Sequence, residues 1–241
     1  MEIEPANNEN DEAVDINIDD LQTTKTIKSG TKIYAKQLKD WIYVPYNKNC
    51  MEQIEELKRL FKEKHLDIEK FKEDIDYGIE NKKTIQQIYK KLTGGINSNS
   101  MLLYSGPDCK TPMHYHSYFR KPLRSYFCAR CFPACISFSD KPGCIFTGDA
   151  NLSDIQNVFK KYWNFVGTIQ VPHHGSTISF DFNFFNHCKN IFIFPASYGT
   201  SNTYGHPAQN VICNIIKNGS CFIHVTEHPE TIFIQKIWKE K

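Results

Sequence analysis

Cys144-Ile145-Phe146-Thr147-Gly148-Asp149 and, downstream, Val171-Pro172-His173-His174-Gly175-Ser176-Thr177 are the stretches that decide the reading of this chain. Each is an apolar run that ends in turn chemistry. In the first, a short strand is expected over 144–146, and Gly148 permits a tight turn that leaves Asp149 at a sheet edge. An ionised carboxylate there can coordinate or bridge a divalent cation. In the second, Pro172 stops a strand and two adjacent imidazoles follow before a permissive glycine. Neutral imidazole suits zinc, manganese or iron, and a loop at a strand end can aim both rings into one cavity.

A third element, Ser197-Tyr198-Gly199-Thr200-Ser201-Asn202-Thr203-Tyr204-Gly205-His206-Pro207, is a polar, glycine-containing loop that follows an almost continuous apolar run. His206 is expected just before a helix that Pro207 begins. Around these loops the pattern alternates. Strands are expected at 100–104, 144–146, 167–171, 191–195, 221–225 and 231–237. Helices are expected from Ser153 onward, opened by Ser153 with Gln156 three residues on, at about 182–188, and at 207–217 with Gly219 as the stop. The fold class is therefore α/β.

Upstream, β-branched and aromatic residues over 32–34 and 41–45 read as a strand or strand pair ending at Pro45. Ile54, Leu57, Phe61, Ile68, Phe71, Ile75, Ile85, Ile88 and Leu92 follow helical spacing, so 51–92 reads as two or three helices with a solvated outer face. The first 24 residues hold eight acidic residues and no lysine or arginine. Residues 1–30 are accordingly expected to be a disordered acidic leader, with the ordered domain over 31–241.

Lysine plus arginine (29) nearly balances aspartate plus glutamate (27), which excludes a bulk charge footprint for nucleic acid or membrane. No long apolar run reads as a membrane segment, and Met1-Glu2-Ile3-Glu4-Pro5 lacks the marks of a signal peptide. A cytoplasmic protein with reduced thiols is expected, so its nine cysteines point to metal or burial.

Between Gly106 and Gly143 the pattern breaks into an insertion that carries Cys109, His114, His116, Cys128, Cys131 and Cys135. Cys128-x-x-Cys131 has the spacing for two thiolates on one tetrahedral zinc, completed by Cys135 or by Cys109, His114 and His116. Such a closed site would fold the insertion rather than catalyse. Arg120, Lys121, Arg124 and Arg130, interleaved with Tyr118, Phe119, Tyr126 and Phe127, would offer a basic and aromatic surface to nucleic acid. A solvated loop with incidental buried thiols is the plainer reading.

Taken in order, the Asp149 turn, the His173-His174 loop and the His206 loop resemble the metallo-β-lactamase superfamily. They are most similar to the branch typified by the carboxy-terminal domain of competence-type DNA-uptake proteins. Asn97-Ser98-Asn99-Ser100-Met101-Leu102-Leu103 resembles the asparagine-and-serine strand of that branch. The resemblance implies an αββα sandwich with one or two metals, zinc or manganese, at the edge between two sheets, used for hydrolysis. It implies Asp149 and His206 as metal ligands and His173 and His174 as the pair lining the metal cleft, with Asp149, His173 and His174 catalytic. Ser176, Ser197 and Asn202 would be donors in the substrate cleft, and a phosphodiester or nucleic acid would be the substrate.

One departure is large. The superfamily's first-half signature, His-x-His-x-Asp-His, is absent, and His114-Tyr115-His116 runs into Ser117-Tyr118-Phe119 instead. The domain therefore reads as partial, lacking the first-half metal region. Two expectations compete: a hydrolase whose remaining ligands lie elsewhere, or a degenerate, non-catalytic binding module with a zinc-stabilised insertion and a protein partner over the incomplete sheet.

Overall fold

The computed structural model describes residues 2–4, 16–17, 26–35, 38–47, 51–92, 100–108, 115–120, 137–138, 141–188 and 190–239. In chain order the first strands are β1 (Glu2–Glu4), β2 (Ile16–Asn17), β3 (Thr26–Lys28), β4 (Ile33–Ala35) and β5 (Leu38–Tyr46). Four helices follow: α1 (Met51–Glu63), α2 (Ile68–Glu73), α3 (Ile75–Glu80) and α4 (Lys82–Lys91). The rest comprises β6 (Leu102–Pro107), β7 (Tyr115–Arg120), β8 (Ser137–Phe138), β9 (Gly143–Phe146), α5 (Leu152–Val158), β10 (Val166–Ile169), α6 (Phe184–His187), β11 (Ile193–Ser197), α7 (Gln209–Lys217), β12 (Cys221–Val225) and β13 (Ile234–Lys239).

The fold is mixed α/β, built on a seven-strand mixed sheet in the order β12-β11-β10-β9-β6-β5-β4, which the two-residue β2 extends beside β4. β9 to β12 run parallel, whereas β4, β5 and β6 are antiparallel neighbours and β6 meets β9 antiparallel. The parallel half is apolar almost throughout because both of its faces are covered; all four residues of β10 are buried. Strand alternation sends Ile42, Val44, Leu102, Tyr104, Ile145, Phe192, Phe194 and Phe222 into one core. That core also contains Leu152 and Ile155 of α5, Phe184 and Phe185 of α6, and Val211 and Ile215 of α7. Burying each such side chain contributes roughly 1.5–3 kcal/mol. On the opposite face Ile193, Cys221 and Ile223 form a smaller cluster, against which Phe233 packs.

Local signals place most boundaries within a few residues of expectation, with three differences. Asn151, not Ser153, caps α5: its side-chain oxygen accepts the Ser153 N–H at 3.1 Å. α7 opens at Gln209 rather than Pro207. Pro45 lies inside β5 because it stands opposite Leu103 on one side, while on the other the Gly30 N–H reaches its carbonyl at 2.8 Å, so its missing donor breaks no ladder.

The segment over 51–92 forms four helices, and its buried Leu60, Phe61, Ile85, Ile88 and Leu92 make a cluster of their own. Within the stretch expected as a leader, β1 pairs parallel with β3, while β2 pairs with β4 just beyond it. From the insertion, β7 pairs with β13 and β8, giving a three-stranded sheet in the order β13-β7-β8. Gln235 Nε2 donates to the Pro142 carbonyl at 2.8 Å and ties β13 to the root of β9. No helix among the described residues is long and apolar enough to cross a membrane.

Candidate functional site

β9, β10 and β11 are adjacent and parallel, so the loops after them all leave from one edge of the sheet. Those loops carry Asp149, His173 with His174, and His206. Carboxyl ends of parallel strands are where open α/β sheets place ligands, because the loops there are free of ladder pairing and face one crevice. Thr147 anchors the first loop: its N–H donates to Gln170 Oε1 at 3.2 Å and its hydroxyl to the Gln170 carbonyl at 3.1 Å. The His173 N–H donates to the Gly148 carbonyl at 2.9 Å, joining the first loop to the second.

His173 (φ 45°, ψ 51°) and His174 (φ 55°, ψ 15°) both occupy the left-handed region. For residues with a Cβ this costs about 1–2 kcal/mol each, a strain held by the surrounding bonds. Gly175, at φ +89°, continues the turn, and a Cβ there would lie 2.6 Å from Pro207 Cβ. Glycine is therefore required where the second loop touches the third, and the Ala208 N–H donates to the Gly175 carbonyl at 3.0 Å.

Both rings have a defined tautomer. His174 Nδ1 lies 2.6 Å from the Ser197 carbonyl, which can only accept, so Nδ1 carries the proton and Nε2 the lone pair. Ser179 Oγ donates to the Asp149 carbonyl at 3.3 Å and accepts from His173 Nδ1 at 3.3 Å, so His173 has the same tautomer. A ring N–H fixed by a carbonyl, as at His174, is the support that metal-ligating histidines use.

His206 is held by its own loop. Asn202 Oδ1 accepts the His206 N–H at 3.1 Å, while Asn202 Nδ2 donates at 2.7 Å to the carbonyls of both His206 and Gly199. The His206 ring centroid lies 5.6 Å from that of His173, and its Nδ1 is buried without a hydrogen-bond partner. Burial, then the neighbouring His173 and His174, push His206 below the ordinary imidazole range, which keeps it neutral and ligand-competent.

The same loop is fastened to the end of β12. The Thr200 N–H donates to Glu227 at 3.1 Å and the Thr200 hydroxyl donates to the same carboxylate. With the Thr200 hydroxyl foremost, these bonds hold Glu227 down to about 2. Burial, then Glu227, push the Tyr198 phenol up, and burial pushes His224 down. The Tyr198 hydroxyl and His224 Nδ1 share a hydrogen bond of 2.6 Å.

The donor set suits a divalent metal in kind: two imidazoles of fixed tautomer, an orphaned imidazole nitrogen and a carboxylate on one edge. In number it is short, since among the described residues no group of three or more His, Cys, Asp or Glu side chains converges closely enough to hold an ion. The expected cleft residues are engaged in different ways. Ser176 is buried and its Oγ accepts the Ile178 N–H at 3.3 Å, the Ser197 carbonyl serves His174, and the Asn202 amide is spent within its own loop. Ser179 and Gln170, which support the site, carry no motif signal. Their role arises from residues distant in sequence.

His116 lies in β7, opposite Trp238 of β13, while Cys109, His114, Cys128, Cys131 and Cys135 lie outside the described residues. So do Lys121, Arg124, Tyr126, Phe127 and Arg130. Cys144, Cys188, Cys213 and Cys221 are free thiols, and burial pushes Cys144 up to about 12, which makes it a poor thiolate donor. No family model matches the chain, and neither a curated protein nor a solved structure matches it significantly.

Proposed function

We propose that this chain carries the second-half wall of a metal-dependent hydrolase site of the metallo-β-lactamase type, acting on phosphodiester or nucleic-acid substrates. The observation that carries the reading is the gathering of Asp149, His173, His174 and His206 on the carboxyl edge of three parallel strands, with the Nδ1 protons of His173 and His174 fixed. In this reading His174 presents its Nε2 lone pair, His206 offers its unpartnered Nδ1, and His173 and Asp149 stand on the same edge. Zinc or manganese held there would supply Lewis acidity, acidifying water and neutralising charge that develops on a phosphodiester.

The test is metal content and turnover of the full chain in a Cys128→Ser/Cys131→Ser background, which removes the insertion's candidate zinc. Retained zinc or manganese that falls in His173→Ala and His206→Ala, with phosphodiesterase activity lost to chelator and restored by metal, is expected. A metal-free, inactive protein would sink the reading.

The second reading, a non-catalytic binding module with a partner over the sheet and a zinc-stabilised insertion, is favoured by the shortfall of converging ligands. It predicts zinc that disappears with the two cysteines and no hydrolysis in any metal.

A further inference from the structure

Tyr204 stands out on the edge just described. It is 82% exposed, well above Phe146 at 46% and Phe182 at 38%, while Phe180 and Phe194 are buried. Its ring lies nearly parallel to that of His206, at an interplanar angle of 16° and a centroid distance of 6.3 Å. The loop that presents it is pinned on both sides, by Asn202 to Gly199 and His206 and by Thr200 to Glu227. An aromatic side chain normally buries a large area, and here a constrained loop holds one in the open beside the candidate centre.

We infer that Tyr204 is a stacking platform for an unpaired base of single-stranded nucleic acid, placing the backbone next to that base over the histidines. A nucleobase offers a flat π face, and base stacking on an exposed aromatic ring tolerates any sequence. In a duplex those faces are hidden, so the platform selects single strands. With net charge near balance, stacking rather than a basic field supplies the recognition. Ile178, 85% exposed in the loop after His174, adds a second apolar contact at this edge. The inference rests on the phosphodiester reading of the cleft and names its substrate class.

The experiment titrates the full chain, with chelator present to stop turnover, against a fluorescent oligothymidylate, an abasic oligonucleotide of the same length, and a duplex. Tighter binding of oligothymidylate than of the abasic strand is expected. Tyr204→Ala should weaken oligothymidylate binding by about fivefold or more and leave the abasic strand unchanged, while Tyr204→Trp keeps the preference. Because Tyr204 is so exposed, its removal leaves the fold intact, which a thermal melt checks. Equal affinity for the base-bearing and abasic strands, or an unchanged Tyr204→Ala, would overturn the inference.

Cleavage of the abasic strand with manganese is measured separately. Cleavage without base preference leaves the hydrolase reading standing and removes this one. Tyr204-dependent binding without cleavage supports the platform and removes the hydrolase reading.

Discussion

The two halves of the sheet differ in how fully they match their buried polar groups. In the antiparallel half they are matched. Lys32 Nζ lies 2.8 Å from Asp108 Oδ1 with both side chains nearly buried, the Tyr34 hydroxyl donates to Asp108 Oδ2 at 2.8 Å, and the Trp41 indole donates to Ser105 Oγ at 3.0 Å. In the parallel half, the loop edge leaves His206 Nδ1 without a partner and holds two histidines in left-handed geometry. Buried polar groups normally find partners because an orphan costs about 1–3 kcal/mol. Matched groups mark the half that stabilises, and unmatched or strained ones mark the half where a ligand would find its contacts.

The contrast can be broken at several points. Phe194→Ala empties a position buried at 0% exposure in the core that both halves share, and should cost about 3–5 kcal/mol in a urea melt. A loss below about 1 kcal/mol would mean that the core is not common to the two halves. Asp108→Ala strands Lys32 without its counter-charge and should cost about 3 kcal/mol, much of it recovered in Lys32→Met/Asp108→Leu. If the double variant were no more stable than Asp108→Ala, the pair would not be the balanced element that the geometry describes.

On the other half, Asn202→Ala removes three hydrogen bonds that hold one loop and should cost about 1–2 kcal/mol. Any metal affinity of the edge should fall further than that, since His206 loses its placement. Equal losses in stability and metal affinity would make Asn202 a structural residue only.

The smallest expected effect is in pH. His206 is neutral in the fold because its value is lowered, so below 6.5 the unfolded chain binds the proton first. Stability therefore declines as pH falls from 6.5 to the lowered folded value, and then levels. His224, also lowered, adds the same sign, so His206→Gln should flatten the decline in part. Urea melts between pH 7 and pH 5 measure it, and an unchanged slope would show that His206 is solvated. Glu227, held down to about 2, keeps the Thr200 fastening ionised throughout that range.

Much of the parallel half is legible in the residues. Apolar runs of strand length at β9, β10, β11 and β12 are each closed by glycine, proline or a polar loop, and α7 shows Val211 and Ile215 at helical spacing before Gly219 at φ +79°. The helical segment is legible too, although the caps at Asp67 and Asp74 that open α2 and α3 are visible only where their side chains meet backbone N–H groups. Less legible is the antiparallel edge, since nothing local in Lys32 announces a partner as distant as Asp108. The three-stranded sheet that joins β13 to two strands of the insertion is likewise a pairing between distant segments.

For the Asp149 and His173-His174 loops, the sequence by itself determined the residue types, the turns and the strands that precede them. Those depend on φ/ψ preference and apolar period, which act over a few residues. Tertiary structure alone decided that β9, β10 and β11 lie side by side, that Ser197 and Ser179 orient the two histidines, and that Tyr204 stands open beside His206. These follow from how crossovers pack on a shared core, a long-range choice that no local pattern contains.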